Sequence, residues 1–169
     1  MRKMKSIKNI TGLIILSACI VNISYSQSID QNTKETNMKN LITDYYQKMD
    51  ALHGDFTRMN EVFNDTMTFH FPGVPAPMTV SEFQGPAQGI YEGFPDFKRT
   101  IEDFIVDGNK VACRINITGT HNGEFQGIAA TNKSIAINAI TIFRVENNKL
   151  SEPLVSVDML GLMAQIDAI

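Results

Sequence analysis

The second half of the chain constrains its fold more than any other feature. From Phe97 to Asp158 apolar and polar residues alternate in long runs, separated by turn-forming pairs. Alternation with period two is the mark of half-buried strands. Phe97–Val106 reads as a strand, Asp107-Gly108 as a hairpin turn and Lys110–His121 as a long second strand. Asn122-Gly123 is another turn signal, with Glu124–Ala130 as a brief paired excursion. Lys133–Glu146 is a third long strand, Asn147-Asn148 turns it, and Lys149–Asp158 returns. Met159–Ile169 is a short apolar tail. Strands linked this tightly can only pair antiparallel.

The first half follows a different period. Met38, Leu41, Ile42, Tyr45, Met49 and Leu52 recur at helical spacing, and His53-Gly54 ends that helix. Asp55 can cap a second short helix with Phe56, Met59, Val62 and Phe63 on one face, broken at Asn64-Asp65. In Thr66–Phe71, Met67, Phe69 and Phe71 point one way and Thr66, Thr68 and His70 the other, which predicts a strand. Three prolines in Pro72–Pro77 make a stiff loop. Ser81 can cap a third helix carrying Phe83, Ile90 and Tyr91, with a kink or a split into two short helices at Gly85-Pro86 and an end at Phe94-Pro95-Asp96. Helices early and a strand meander late make an α+β pattern.

The start of the chain reads as a signal. Arg2, Lys3, Lys5 and Lys8 precede a mostly apolar run from Ile10 to Ile23, and Ser24-Tyr25-Ser26 supplies small residues for cleavage. Residues 1–26 are therefore expected to be a signal peptide, 27–37 a polar linker and 38–169 the folded domain. Leu16-Ser17-Ala18-Cys19 also resembles a lipoprotein box, so an anchor through Cys19 stands as the alternative to a periplasmic or secreted protein. Cleavage leaves 11 of the 15 basic residues against all 18 acids, a net charge of −7. Such acidity argues against nucleic acid as a partner. Cys113 is then the one remaining cysteine, most simply a buried small residue. His53, His70 and His121 show no ligand spacing, so no metal site is expected.

Several segments together match a known pattern. They are His70-Phe71-Pro72-Gly73, Phe94-Pro95-Asp96, Gly119-Thr120-His121 with Gly123, and Phe143-Arg144-Val145. Lys149-Leu150 with Glu152, Asp158 with Leu160-Gly161-Leu162, and Gln165 complete the set. In this order and spacing, from about Met38 to Ile166, the chain resembles the SnoaL-like polyketide (ester) cyclases. The resemblance implies the nuclear-transport-factor-2-like fold, a cone-shaped curved antiparallel sheet packed on about three N-terminal helices. It also implies a cofactor-free intramolecular aldol condensation, with the acid/base role falling on Asp158. The pattern departs from the family at Leu154, where Trp is usual, and at Gln165-Ile166-Asp167, which lacks the usual Gly. Both bear on the pocket wall, and so on the substrate.

The residues themselves agree with part of that chemistry. Proton abstraction from carbon needs a base held away from water. Asp158 stands in the apolar run Leu154–Leu160, where a carboxylate is either desolvated or turned out of the sheet. Resemblance favours His121 and Arg144 near the cavity, with His70 and Tyr91 as rim candidates. The plain readings are a turn-flanking His121, an exposed strand His70 and an Arg144 paired with Glu146 or Glu152. By strand parity Leu150, Glu152, Leu154, Ser156 and Asp158 share one face, and Asn138, Ile140, Ile142 and Arg144 share one in the strand before. Two functions remain open: an enzyme acting on a hydrophobic carbonyl compound, or a non-catalytic domain holding a hydrophobic small molecule in the same cone. Curved sheets of this kind also pair through their outer faces, so a homodimer is a third expectation.

Overall fold

The computed structural model describes the backbone of residues 8–64 and 66–169, with side chains from Ser28 onward. The basic start of the expected signal peptide, the Cys19 side chain and Asp65 lie outside the described residues. The chain divides into residues 1–37 and a larger unit, Met38–Ile169, which carries everything below.

The first helix, α1, runs Lys8–Ala51. The expected linker 27–37 is thus helical. It holds no Gly or Pro to stop a helix, and Thr33 and Thr36 spend their hydroxyls on the carbonyls of Ile29 and Asn32. Among the described residues no helix is long and apolar enough to cross a membrane. From Met38 on, one stripe of α1 is buried: Met38, Ile42, Tyr45, Tyr46 and Met49. The helix closes where His53 and Gly54 turn left-handed, the Gly54 N–H reaching back to the Met49 carbonyl at 3.0 Å. Gly54 has two reasons to be glycine. Its φ is +74°, and a Cβ there would sit 3.0 Å from the backbone of Ala87.

Asp55 does cap the next element, but it is a single 3₁₀ turn, Phe56–Arg58. The strand expected at 66–71 keeps its alternation, with Met67 and Phe69 fully buried, but it is shorter: β1 (Thr68–Phe69) pairs with β2 (Met78–Thr79), and His70 bridges to Leu154. Helix α2 spans Val80–Gly93. Its cap is Thr79, not Ser81: the Thr79 side chain accepts from the Glu82 N–H while Glu82 reaches back to the Thr79 N–H. The element stays one helix across Pro86, so of the two forms expected at Gly85-Pro86 the split into two short helices does not occur.

Strands β3 (Lys98–Asp107), β4 (Lys110–Thr120), β5 (Ser134–Glu146) and β6 (Lys149–Val157) form an antiparallel sheet in chain order. Asn147 and Asn148 both take positive φ in the last hairpin, as the tight turn requires. Asn122-Gly123 is not a hairpin turn. Both residues donate to the Gly93 carbonyl at 3.0 Å, docking the β4 end on the end of α2. A Cβ on Gly123 would lie 2.0 Å from the Glu92 carbonyl oxygen, so only glycine permits the approach. Within the short apolar tail Met159–Gln165 forms a third helix, α3.

The buried face of the sheet carries Val111, Cys113, Ile115 and Ile117 from β4 and Ile135, Ile137, Ala139, Thr141 and Phe143 from β5. Parity fails in β6. Arg144 pairs with Ser151 but Ile142 with Leu154, so a bulge intervenes, and Glu152 takes φ +47° there. Leu150 is consequently buried, whereas Glu152, Leu154 and Ser156 are exposed. The free edge of β6 is covered by the chain near His70, whose N–H donates to the Pro153 carbonyl and whose carbonyl accepts from Val155, both at 2.8 Å. Three helices and a curved antiparallel sheet therefore make the α+β cone that the sequence predicts.

Candidate functional site

The helices and the buried sheet face do not close on each other completely. Between them lies a cavity of about 810 Å³. Its walls are mostly apolar, with Ile115, Ile137, Ala139 and Phe143 from the sheet and Met49 and Ile90 from the helices. Exposed residues, Pro86, Glu92, Glu124 and Gln126 among them, mark its mouth. An apolar hollow with few polar groups is what small-molecule sites look like.

The polar groups inside come from three elements. Tyr46 of α1 donates its hydroxyl proton to the Thr141 hydroxyl of β5 at 3.0 Å, and both line the cavity. Among the described residues Arg99 of β3 is the one cationic side chain in the lining. Its side chain is 8% exposed, and its guanidinium pairs through Nη1 with Asp50 at the end of α1. The same nitrogen donates to the Tyr91 hydroxyl at 2.6 Å. Tyr91 in turn donates to Asp50 Oδ1 at 2.8 Å, and the Arg99 backbone N–H donates to Asp50 Oδ2 at 2.9 Å. The guanidinium also lies 4.6 Å from the ring centre of Phe97 and 5.7 Å from those of Tyr46 and Tyr91.

This clustering shifts the titrations. Burial pushes the phenols of Tyr45, Tyr46 and Tyr91 well above their ordinary value, so all three are neutral donors in the physiological range. For Arg99, burial works against the charge, but Tyr91 and Asp50 outweigh it and hold its pKa above the ordinary value. Burial raises the Cys113 thiol to about 12, and its Sγ–H donates to the Thr141 carbonyl at 3.5 Å. Cys113 is thus a buried packing residue, as expected.

The sequence candidates fall in four separate places. Tyr91 belongs to the Asp50–Arg99 cluster just described. His121 is fully buried in a layer behind the cavity wall, stacked on Phe94 at 5.1 Å between ring centres. Its Nδ1 accepts from the Thr131 N–H at 3.3 Å, which leaves the ring proton on Nε2. Among the described residues that nitrogen is the sole buried side-chain N or O with no hydrogen-bond partner. Asp158 is exposed and caps α3, its Oδ1 accepting from the Gly161 N–H at 2.8 Å. Of the two surroundings its apolar run allows, the exposed one holds. Its neighbours Val157 and Met159 both line the cavity, which sets Asp158 beside the cavity wall.

Arg144 and His70 do not reach the cavity. Arg144 stands on the outer face of β5, where its Nε donates to Glu152 at 2.8 Å, and this pairing lowers the Glu152 pKa. The alternation that buries Thr141 and Phe143 necessarily turns Arg144 outward. His70 lies on the same outer side, 3.4 Å from the Thr68 hydroxyl and close to Arg144, Glu152 and Leu154 in a shallow surface hollow. Among the described residues no group of three or more His, Cys, Asp or Glu is placed to hold a metal ion.

Sequence reasoning missed Asp50, Arg99 and Tyr46. The signal was present. Arg99 sits on the inward face of β3 with Ile101, and Asp50 follows Tyr46 by four residues, on the buried face of α1. A charge on each of two apolar faces is the anomaly that marks a buried pair.

An α+β cone with an apolar cavity between sheet and helices is a scaffold for small-molecule sites. The SnoaL-like polyketide cyclase model matches residues 43–166, so the chain belongs to that family. Among solved structures, a candidate SnoaL-like polyketide cyclase from Jannaschia is similar over 79% of this chain and 94% of its own, at 20% identity and a TM-score of 0.70. IdmH, a candidate polyketide cyclase from Streptomyces antibioticus, is 25% identical over 77% of this chain and 98% of its own, with a TM-score of 0.68. A candidate polyketide cyclase from Bacillus cereus is 27% identical over 79% of this chain and 83% of its own, with a TM-score of 0.65. No curated protein sequence matches the chain. Family membership supports a cyclase- or isomerase-type activity on a small hydrophobic molecule.

Proposed function

We propose that this protein is a cofactor-free enzyme that moves a proton on a hydrophobic carbonyl compound and closes a ring by an aldol step. The observation that carries the reading is the apolar cavity of about 810 Å³ with tyrosine, threonine and one guanidinium on its walls. In the proposed reaction Asp158, exposed beside the cavity wall between the lining residues Val157 and Met159, is covered by the substrate that it meets at that edge and takes a proton from the carbon between two carbonyls. The enolate carbon attacks a second carbonyl of the same molecule, and Asp158 returns the proton to the resulting alkoxide. One carbon–carbon bond forms and the product is an isomer of the substrate; loss of water can follow. Delocalisation of the enolate over the substrate's own carbonyls keeps the demand on the base modest.

The second reading is a binding domain that holds such a compound without turning it over. The capping bond from Asp158 to Gly161 favours it, because that bond gives the carboxylate a structural task. The two readings separate on Asp158→Asn. Asn caps a helix as well as Asp, so the fold is kept while the base is lost. Full-length protein and variant are incubated with a metabolite extract of the source cells and compared by mass spectrometry. A compound consumed by the unchanged protein alone supports the enzyme. A compound retained by both, with nothing consumed, supports the binding domain.

Two further expectations from the sequence belong to this proposal. Export follows from the basic and apolar start of the chain, with Cys19 as the alternative anchor, and fractionation of source cells tests it. A homodimer through the outer sheet face is supported by the row Ile105, Ala112, Ile142 and Leu154, which pair across all four strands. Ile105 is 68% exposed and Leu154 43%, apolar area that a second copy would cover.

A further inference from the structure

Arg99 has more donors than its protein partners use. Asp50 and Tyr91 both engage Nη1, and the backbone N–H goes to Asp50 Oδ2. No described residue accepts from Nε or Nη2, neither is a buried unpaired atom, so each keeps accessible surface, and Arg99 is a lining residue of the cavity. The guanidinium is fixed by the carboxylate, the phenol and three aromatic rings, so it cannot swing out to find water. Free donors on a fixed cation inside an apolar hollow form a site for oxygen that carries or develops negative charge. The rest of the lining narrows the ligand further. Glu92 and Glu124 stand exposed at the mouth and oppose the entry of a preformed anion. A neutral carbonyl compound passes them and acquires charge only once inside.

We propose that Arg99, positioned by Asp50 and Tyr91, is the oxyanion-binding residue of this cavity and receives the carbonyl oxygen of a neutral, enolisable, otherwise apolar ligand. This rests on the small-molecule reading above. Asp50 is a positioning residue. It neutralises part of the guanidinium charge, so removing it should strengthen, not weaken, the binding of an oxyanion.

The probe is 2-naphthol, a planar apolar molecule with one ionisable oxygen, whose neutral and ionised forms absorb at different wavelengths. The full chain, Asp50→Asn and Asp50→Asn/Arg99→Met are each titrated with naphthol across pH. In the unchanged protein, bound naphthol should ionise at least about one pH unit lower than in the double variant, a tenfold preference for the oxyanion worth roughly 1.4 kcal/mol. In Asp50→Asn alone it should ionise lower still. Equal ionisation in all three proteins, with naphthol bound in each, overturns the role of Arg99 and leaves the cavity reading standing. Failure of the unchanged protein to bind naphthol overturns both. Should the double variant not fold, Asp50→Asn decides alone: ionisation at lower pH supports the proposal, and ionisation at the same or higher pH overturns it.

Discussion

Replacing Arg99 by Met tests the buried cluster as a structural unit. The substitution keeps most of the volume and removes the charge, leaving Asp50 without its cationic partner. Breaking a buried pair by removing one member costs about 3–5 kcal/mol. Two features set this case near the lower end. Asp50 keeps 19% side-chain exposure, and it still accepts the backbone N–H of residue 99 and the Tyr91 hydroxyl. Loss of the guanidinium over the Phe97 ring adds about 0.5–1 kcal/mol. The expected cost is therefore about 3–4 kcal/mol, a fall in Tm of roughly 10–15 °C for a unit of this size. Urea unfolding followed by circular dichroism measures it. The companion Asp50→Asn/Arg99→Met should recover at least about 1 kcal/mol, because it no longer buries an unpaired carboxylate. A cost below about 1 kcal/mol for Arg99→Met, or a double variant as unstable as the sum of the singles, refutes the reasoning.

Other substitutions probe other parts of the molecule. Gly123→Ala places a Cβ against the Glu92 carbonyl and should lower Tm by at least about 10 °C, whereas Gly108→Ala, with φ +61° but open space, should cost only about 1 kcal/mol. Asp158→Ala should cost about 1 kcal/mol by uncapping α3 and Asp158→Asn almost nothing, as read by thermal melts. The Cys113 thiol, ordinarily near 9 and raised by burial to about 12, contributes stability in full below pH 9 and loses it as pH rises towards 12. Stability should therefore fall across that window, and peptide mapping should find Cys113 alkylated by iodoacetamide at pH 8 only after unfolding. Leu154→Lys puts a charge into the outer apolar row; a gel-filtration mass of two copies for the parent and one for the variant is expected, and a parent that is monomeric at micromolar concentration would count against the dimer.

The parts legible in the sequence were those that local pattern controls. Strict alternation in β5 sorts the faces correctly, with Asn138, Ile140, Ile142 and Arg144 together on the outer side, because an unbulged strand obeys parity; which of its two faces is buried is not legible from parity alone. The same rule misled in β6. One extra residue near Glu152 reverses every side chain beyond it, and nothing in Ser151-Glu152-Pro153 announces a bulge apart from the proline. The α2 cap was written in Thr79-x-x-Glu82, but Ser81 competed with it as an equally good capping residue type. The polar run 27–37 read as linker because an exposed helix has no apolar stripe to betray it. Of the candidate site, Tyr91 and Asp158 are both legible only through the resemblance, and the Asp50–Arg99 pair joins residues 49 positions apart. Such a pair shows only when the face of α1 and the face of β3 are read against each other.

Deuterium exchange tests the central claim, proton transfer to a carbonyl compound held in the cavity, most directly. Full-length protein and Asp158→Asn are each incubated with the extract in heavy water, with buffer alone as control. The small molecule that copurifies is then analysed by mass spectrometry. The predicted result, from the unchanged protein alone, is the cyclised isomer, or the unclosed compound bearing deuterium at the carbon next to its carbonyl where the enolate is reprotonated before it closes. The same compound recovered from both proteins with no deuterium beyond the buffer control would contradict the claim and leave a binding domain.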